Sequence, residues 1–361
     1  MICHLRKDDR PSKRGFTLLE MLVVVGIIAL LLALFVPSLR LSRESARRMA
    51  CSNQVKHIGL AMHNYHSAFD QLPIGMGGTD GGATAQLSNG HRLSGLVALM
   101  PFLEQQQLWE QISAPMSTAS FSYPAMGPSP WIADYEPWAT QVATLRCPSS
   151  SSTKTEFGET NYALCIGDAA REIHQPPGTR GLFACRITTR FGDVSDGLAN
   201  TIAMGEIGTC FERRLKGQFA LDQPASILED PASCLAIRDS GQPTRYAAEV
   251  RLGDRGRGGC WADGAAGCGL FQTILPPNSV NAAVGSTPAS DGIYSAGSWH
   301  QGGSHVLMAD GAVLFITDSI EAGDASAATP PSSLFSSVGE KSPYGLWGAL
   351  GTISGAEEVE Q

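Results

Sequence analysis

A histidine and a carboxylate within hydrogen-bond reach make a general acid–base pair, and His300 and Asp310 are the pair in this chain whose spacing invites that reading. Two β-prone runs flank Asp310-Gly311, so a hairpin there would turn the chain back in the direction of His300. Asp-Gly at a turn is already accounted for by turn chemistry, however. Trp299-His300-Gln301-Gly302-Gly303 reads as a tight loop in which the imidazole braces the hairpin. The expectation is a structural role for His300, Asp310 and Gly311, not catalysis. A second set, Asp193, Asp196, Asp263, Asp291 and Asp310, offers the oxygen ligands that a hard cation such as Ca²⁺ needs. No D-x-D-x-D-G loop with a distal glutamate is present, and turn roles account for the aspartates. Asp193, Asp196 and Asp310 are therefore only weak metal candidates, and neither metal nor cofactor is expected. The third set is nine cysteines, Cys3, Cys51, Cys147, Cys165, Cys185, Cys210, Cys234, Cys260 and Cys268. Loss of Cys3 with a leader would leave eight, an even number compatible with up to four disulfides or with buried free thiols. The absence of a C-x-x-C pair argues against a zinc or thioredoxin-type site.

Other chemistries lack their residues. There is no G-x-S-x-G elbow, no H-E-x-x-H and no P-loop. Gly253–Gly259 is glycine-rich but carries no P-loop lysine. Trp131, Trp138, Trp261 and Trp299 have the rings to stack on a sugar, yet scattered tryptophans usually brace cores. The chain is not expected to be an enzyme.

The remaining group with unusual chemistry is Glu20. It is the one charge in the apolar run of residues 16–36, which is long enough as a helix to span a hydrocarbon core of about 30 Å. A carboxylate in such a helix costs up to about 2.5–3.5 kcal/mol at the centre and less near an end, so a partner should offset it. The run exceeds the apolar stretch of an ordinary secretory signal, and no A-x-A cleavage site follows it.

Lys13-Arg14-Gly15-Phe16-Thr17-Leu18-Leu19-Glu20 followed by this run resembles the signal of type IV pilins and type II secretion pseudopilins. The resemblance implies that a prepilin peptidase cuts after Gly15, that Phe16 becomes the methylated N-terminus, and that Glu20 faces the positive amine of a neighbouring subunit in an assembly. It also implies partners of the same kind, either further copies of the chain or other pilin-like subunits. The location implied is a single pass through the inner membrane, with the body in the periplasm or outside the cell.

Beyond Pro37, where a kink is expected, Cys51, Val55, Ile58, Met62, Tyr65 and Phe69 recur at steps of three and four on one helical face. Leu72-Pro73 ends it. The body then changes character. With 40 glycines and 21 prolines in 361 residues, it reads as loops and short strands. Residues 94–112 are expected to form a short helix with Leu99, Phe102, Leu103, Leu108 and Ile112 as its stripe. YALCIGD, RGLFACRI and SDGLANTIAMGEI read as antiparallel strands, and Asp310-Gly311 as a two-residue hairpin turn with positive φ at both positions. The tail from Glu321 is expected to be extended and partly ordered.

MPFLEQQQLWEQI, LRCPSS, NYALCIGD, FGDVSDGLANTIAMGE, FQTILPPNS and the run SWHQGGSHVLMADGAVLFI follow in that order. They resemble a large bacterial pilin-like family whose core is a domain of unknown function, DUF1559, with a C-terminal motif of His, nine residues, Asp-Gly; here that is His300 to Asp310-Gly311. No activity comes with the resemblance, and residues 211–258 have no counterpart in it.

Charge is uneven along the chain. Residues 1–15 carry five basic side chains against two acidic, a net of +3; the remainder has 21 against 32, a net of −11. An acidic body argues against nucleic acid, which needs clustered Lys and Arg. The architecture expected is α+β and pilin-like: a long kinked N-terminal helix packed on an antiparallel sheet with long loops. Its segments would be a leader (1–15), a membrane or filament-core helix (16–36), an amphipathic continuation (37–72), an extracytoplasmic β-rich domain (73–320) and a loop-rich tail (321–361). The function expected is a structural subunit of a secretion-type pseudopilus or envelope assembly. The alternative is a membrane-anchored module that binds a solute or polysaccharide.

Overall fold

Leu18–Phe69 form one helix of 52 residues, α1. The computed structural model describes residues 15–118, 121–150, 155–209, 212–331 and 339–355, and of residues 33–41 the backbone alone. The leader up to Arg14, Cys3 and Cys210 lie outside the described residues, whereas the helical backbone continues through Pro37, where a kink is expected. The chain divides into two compact units, Met1–Arg47 and Arg48–Gln361.

In the first unit the apolar side chains from Phe16 to Leu32 are exposed. Among the described residues no helix is long and apolar enough to cross a membrane; of the span expected over 16–36, side-chain description stops at Leu32. In the second unit the helical stripe forms as its spacing predicts. Cys51, Val55, Ile58 and Met62 are buried, whereas Phe69 at the C-terminal end is 56% exposed.

That stripe packs on a five-stranded sheet. Its strands are β1 (Tyr162–Cys165), β2 (Ile202–Glu206), β3 (Leu270–Phe271), β4 (Gly303–Met308) and β5 (Val313–Thr317), in the spatial order β5–β4–β2–β1–β3. Neighbours are antiparallel except β1 and β3, which pair in parallel with Leu164 opposite Leu270. Every residue of β1, β2 and β4 is buried, so both faces of the sheet must be covered. The two-residue alternation of strands separates the faces. Leu164, Met204 and Leu307 join Val55, Ile58 and Met62 of α1 in one core cluster. Ala163, Cys165, Val306 and Met308 join Trp347 and Leu350 in another. A Cβ on Gly59 of α1 would lie 2.7 Å from Leu307 Cδ1, so the missing side chain is what lets the helix approach so closely.

The α+β architecture is as read from the sequence, with four local differences. The tail is not merely extended: Trp347 is fully buried, and its Nε1 donates to the Leu275 carbonyl at 2.9 Å. Residues 94–112 break into Gly95–Ala98, a 3₁₀ turn at Met100–Leu103, and the helix α2 (Gln106–Ser113). Pro101 removes a backbone donor, and Glu104 at φ 62° ends the turn in the left-handed region. RGLFACRI forms no strand; Cys185 makes an isolated bridge to Met76. At the β4–β5 hairpin, Gly311 N–H donates to the Met308 carbonyl at 2.9 Å and Met308 N–H to Ala312 at 2.8 Å. Gly311 has φ 91° and Asp310 is not in the left-handed region. The loop is thus the three-residue class with a left-handed glycine rather than the two-residue turn expected.

Candidate functional site

Glu20 sits in the first turn of α1. Thr17 N–H donates to Glu20 Oε2 at 2.8 Å, and Glu20 N–H donates to Thr17 Oγ1 at 3.3 Å. This is a reciprocal capping box, which satisfies two of the orphan donors of a helix start. The pattern Thr-x-x-Glu ahead of an apolar run carries that signature, so this role was available from the sequence. The carboxylate is therefore already engaged within one chain, and it is exposed together with Phe16, Leu18 and Leu19. Among the described residues, no atom other than its chain neighbours lies within 4 Å of where a Cβ on Gly15 would stand.

His300 and Asp310 do not come together. Strand β4 lies between them and spans roughly 20 Å at about 3.3 Å per residue. Asp310 Oδ1 instead accepts Ala312 N–H at 2.8 Å. The other metal candidates are engaged in turns and caps. Asp193 Oδ2 accepts Arg190 N–H at 2.7 Å, and Asp196 Oδ2 accepts Gly355 N–H at 2.7 Å. Asp263 is gripped at both oxygens by Arg92, and Asp291 accepts Glu172 and Ile173 N–H groups.

What His300 does meet is a buried cluster that no local motif announces. Cys51 of α1 is disulfide-bonded to Cys147, across 96 residues of chain. Cys147 Sγ lies 3.5 Å from His300 Nε2, which lies 3.7 Å from Glu206 Oε1. The ligating atoms of Cys51, Cys147, Glu206 and His300 all lie within 4.8 Å of one another, and all four residues are buried. Among the described residues this is the one group of three or more such side chains close enough to share an ion. Each member is placed by a different element. Cys147 N–H donates to Asn161 Oδ1 at 2.9 Å, just ahead of β1. Glu206 ends β2, and its Oε2 accepts His305 N–H of β4 at 2.8 Å. His305 Nδ1 lies 3.2 Å from the same oxygen. Glu206 Oε1 faces the cluster with no hydrogen-bond partner. A carboxylate in the otherwise apolar strand IAMGE is the sequence signal that marks this place, since a buried charge demands partners.

Cys165, Cys185, Cys234, Cys260 and Cys268 are buried free thiols. Burial pushes the Cys165, Cys185, Cys234 and Cys260 thiols up to about 12, which makes them inert at neutral pH. Among the described cysteines, then, one disulfide forms where up to four were compatible with the count.

The tryptophans divide. Trp138 and Trp261 are fully buried and meet edge to face at 5.8 Å. Trp131 is 38% exposed and lines a cleft of about 430 Å³ with Arg92, Arg251 and Arg255. The Arg92 guanidinium lies 5.0 Å from the Trp131 ring centroid. The glycine-rich stretch at 253–259 forms part of that cleft wall. Its Arg257 is fully buried and donates to Asn281 Oδ1 at 2.7 Å, a structural role and not a phosphate contact.

Comparison with known proteins follows the same division of the chain. The family described as a protein of unknown function, DUF1559, matches residues 41–323. The prokaryotic N-terminal methylation motif matches residues 10–36. Competence protein ComGC of Halalkalibacterium halodurans is 37% identical over 70 residues, which cover 19% of this chain and 69% of that protein. No solved structure matches.

Proposed function

The chain belongs to the DUF1559 family and is pilin-like at its N-terminus, and from that premise we propose that it is a structural subunit of a pseudopilus-type or competence-type envelope assembly, not an enzyme. In this reading a prepilin peptidase cuts after Gly15 and Phe16 is then N-methylated. The helix anchors the protein in the inner membrane, with the body in the periplasm or outside the cell. The observation that carries the reading is the exposed apolar surface from Phe16 to Leu32, in which Glu20 is the one charge. So large an apolar face demands lipid or neighbouring subunits. Glu20 can then exchange its Thr17 contacts for the amine of a neighbouring Phe16, an ion pair that offsets the charge it brings into an apolar bundle. The Cys51–Cys147 disulfide supports an oxidising compartment for the body.

The test is intact mass and N-terminal sequence of the full chain from membranes of a host with its own prepilin peptidase. A chain beginning at Phe16 and carrying one added methyl is expected. A chain beginning at Met1, or cut after the apolar run, would overturn the reading. Glu20→Ala is expected to leave cleavage intact and to abolish co-purification of tagged and untagged copies; unchanged co-purification would remove Glu20 from assembly.

The Trp131 cleft favours one further reading, a binding module for an anionic sugar. An exposed indole supplies a stacking face, and Arg255 beside it supplies a forked donor for a carboxylate, while Arg92 and Arg251 keep Asp263 and Asp222 as partners. If so, an oligogalacturonate raises the melting temperature of the full chain in proportion to its binding, and Trp131→Ala removes at least about half of that rise. No shift at millimolar oligosaccharide would dismiss the module.

A further inference from the structure

The geometry points to a metal site at the Cys51–Cys147 pair: when the disulfide is reduced, Cys51, Cys147, His300 and Glu206 form a closed four-ligand set for a zinc-class divalent ion. Three observations converge. The first is the donor set. Two thiolates, an imidazole and a carboxylate are the ligands that a d¹⁰ ion of borderline softness takes. The second is distance. Around one zinc ion, bonds of about 2.0–2.3 Å place tetrahedral ligand atoms roughly 3.3–3.8 Å apart. Cys147 Sγ to His300 Nε2 is 3.5 Å, and His300 Nε2 to Glu206 Oε1 is 3.7 Å. The two sulfurs have to move apart, from bonding distance to roughly 3.8 Å, and the remaining pairs start within 4.8 Å of one another. The third is the state of Glu206. Its side chain is buried, with Oε2 held by His305 N–H and Oε1 aimed into the cluster without a hydrogen-bond partner. An orphaned buried carboxylate oxygen is costly, and a cation at the cluster centre satisfies it.

His305 acts behind the ligands. Its backbone N–H orients the carboxylate as outer-shell partners do, and its Nδ1 stands 3.2 Å from the same oxygen. All four ligands are buried, so no coordination position opens to solvent, and the site is structural in kind rather than catalytic. The steps balance as follows. A dithiol reductant delivers two electrons and two protons to the Cys51–Cys147 bond and becomes a disulfide itself. The two thiols then release their protons to solvent as their sulfurs bind the ion. The clip from α1 to the sheet therefore closes in either redox state, through a disulfide when oxidised and through metal when reduced.

The test uses the full chain in detergent, reduced by a dithiol that is then removed, and titrated anaerobically with Co²⁺ and with Zn²⁺. Reduced wild type is expected to bind about one Co²⁺ per chain, with sulfur-to-cobalt charge-transfer absorption and tetrahedral ligand-field bands that Zn²⁺ displaces. The oxidised chain is expected to show neither. His300→Ala and Glu206→Gln are expected to weaken binding by at least about 10–100-fold. Because substitutions in this core can unfold the chain, the decisive measurement is on wild type. A reduced chain with native circular dichroism that binds no Co²⁺ overturns the site. So does cobalt absorption that is unchanged in Cys51→Ser, or uptake that is equal in wild type and in folded Glu206→Gln.

Discussion

Replacing Asp168 by alanine is expected to lower folding stability by about 3–5 kcal/mol, read from the shift in a denaturant melt of the full chain. Asp168 is wholly buried and Arg180 nearly so. The guanidinium grips the carboxylate at both oxygens, Nη2 to Oδ2 at 2.9 Å and Nε to Oδ1. Asp168 follows β1, and the Arg180 carbonyl accepts Ile353 N–H at 2.9 Å. The pair thus stands where the returning C-terminal segment closes on the body. Removing the carboxylate alone leaves a guanidinium charge in the interior with its main counter-charge gone. Glu340 Oε2, at 3.9 Å and on a half-exposed side chain, cannot replace it. Removing both charges is a different matter, because the desolvation penalty disappears with them. Asp168→Leu with Arg180→Met is therefore expected to be more stable than Asp168→Ala alone. If the double variant is as unstable as the single one, the pair acts through shape and not through charge.

The second large effect is expected at the disulfide. Cys147→Ser should cost about 2–5 kcal/mol under oxidising conditions, at the upper end because the bond closes a loop with 96 residues of separation. In a reduced, chelated sample the same substitution should cost far less, since the cross-link is absent from both proteins. Adding Zn²⁺ to the reduced proteins separates the two linkages. At a hundred times its dissociation constant a ligand stabilises by about 2.7 kcal/mol. Wild type is expected to recover by about that amount, and Cys147→Ser is not. Equal melts for wild type and Cys147→Ser in oxidising buffer would mean that the rest of the core already holds α1 to the sheet.

Much of the fold was legible because it depends on neighbours in sequence. The helix stripe Cys51, Val55, Ile58 and Met62 follows from steps of three and four, and its burial needs no knowledge of what covers it. The capping box of Thr17 and Glu20 spans three residues. The hairpin at Asp310-Gly311 was placed correctly, although its loop class was not, because the turn length depends on the register of the paired strands. Pro101 and Glu104 divide the segment at 94–112, and the proline was visible. The N-terminal methylation motif over residues 10–36 is likewise a local pattern, recognisable without any fold.

The cluster at His300 was not legible in this way. Its members come from α1, the segment before β1, the end of β2 and the loop before β4. Eight cysteines admit 105 complete pairings, and nothing in local propensity selects Cys51 with Cys147. The His-to-Asp-Gly spacing suggested a meeting of His300 with Asp310, yet an extended strand carries those two apart and brings Glu206 across from the neighbouring strand instead. By itself the sequence determined the pilin-like N-terminal motif, the amphipathic helix and the α+β class, since periodicity and turn chemistry act over a few residues. Only the tertiary structure decided the disulfide, the covering of the second sheet face by Trp347 and the four-ligand cluster. Contacts between distant residues form when apolar faces are buried against each other, and that burial, not any residue's own preference, chooses which side chains meet.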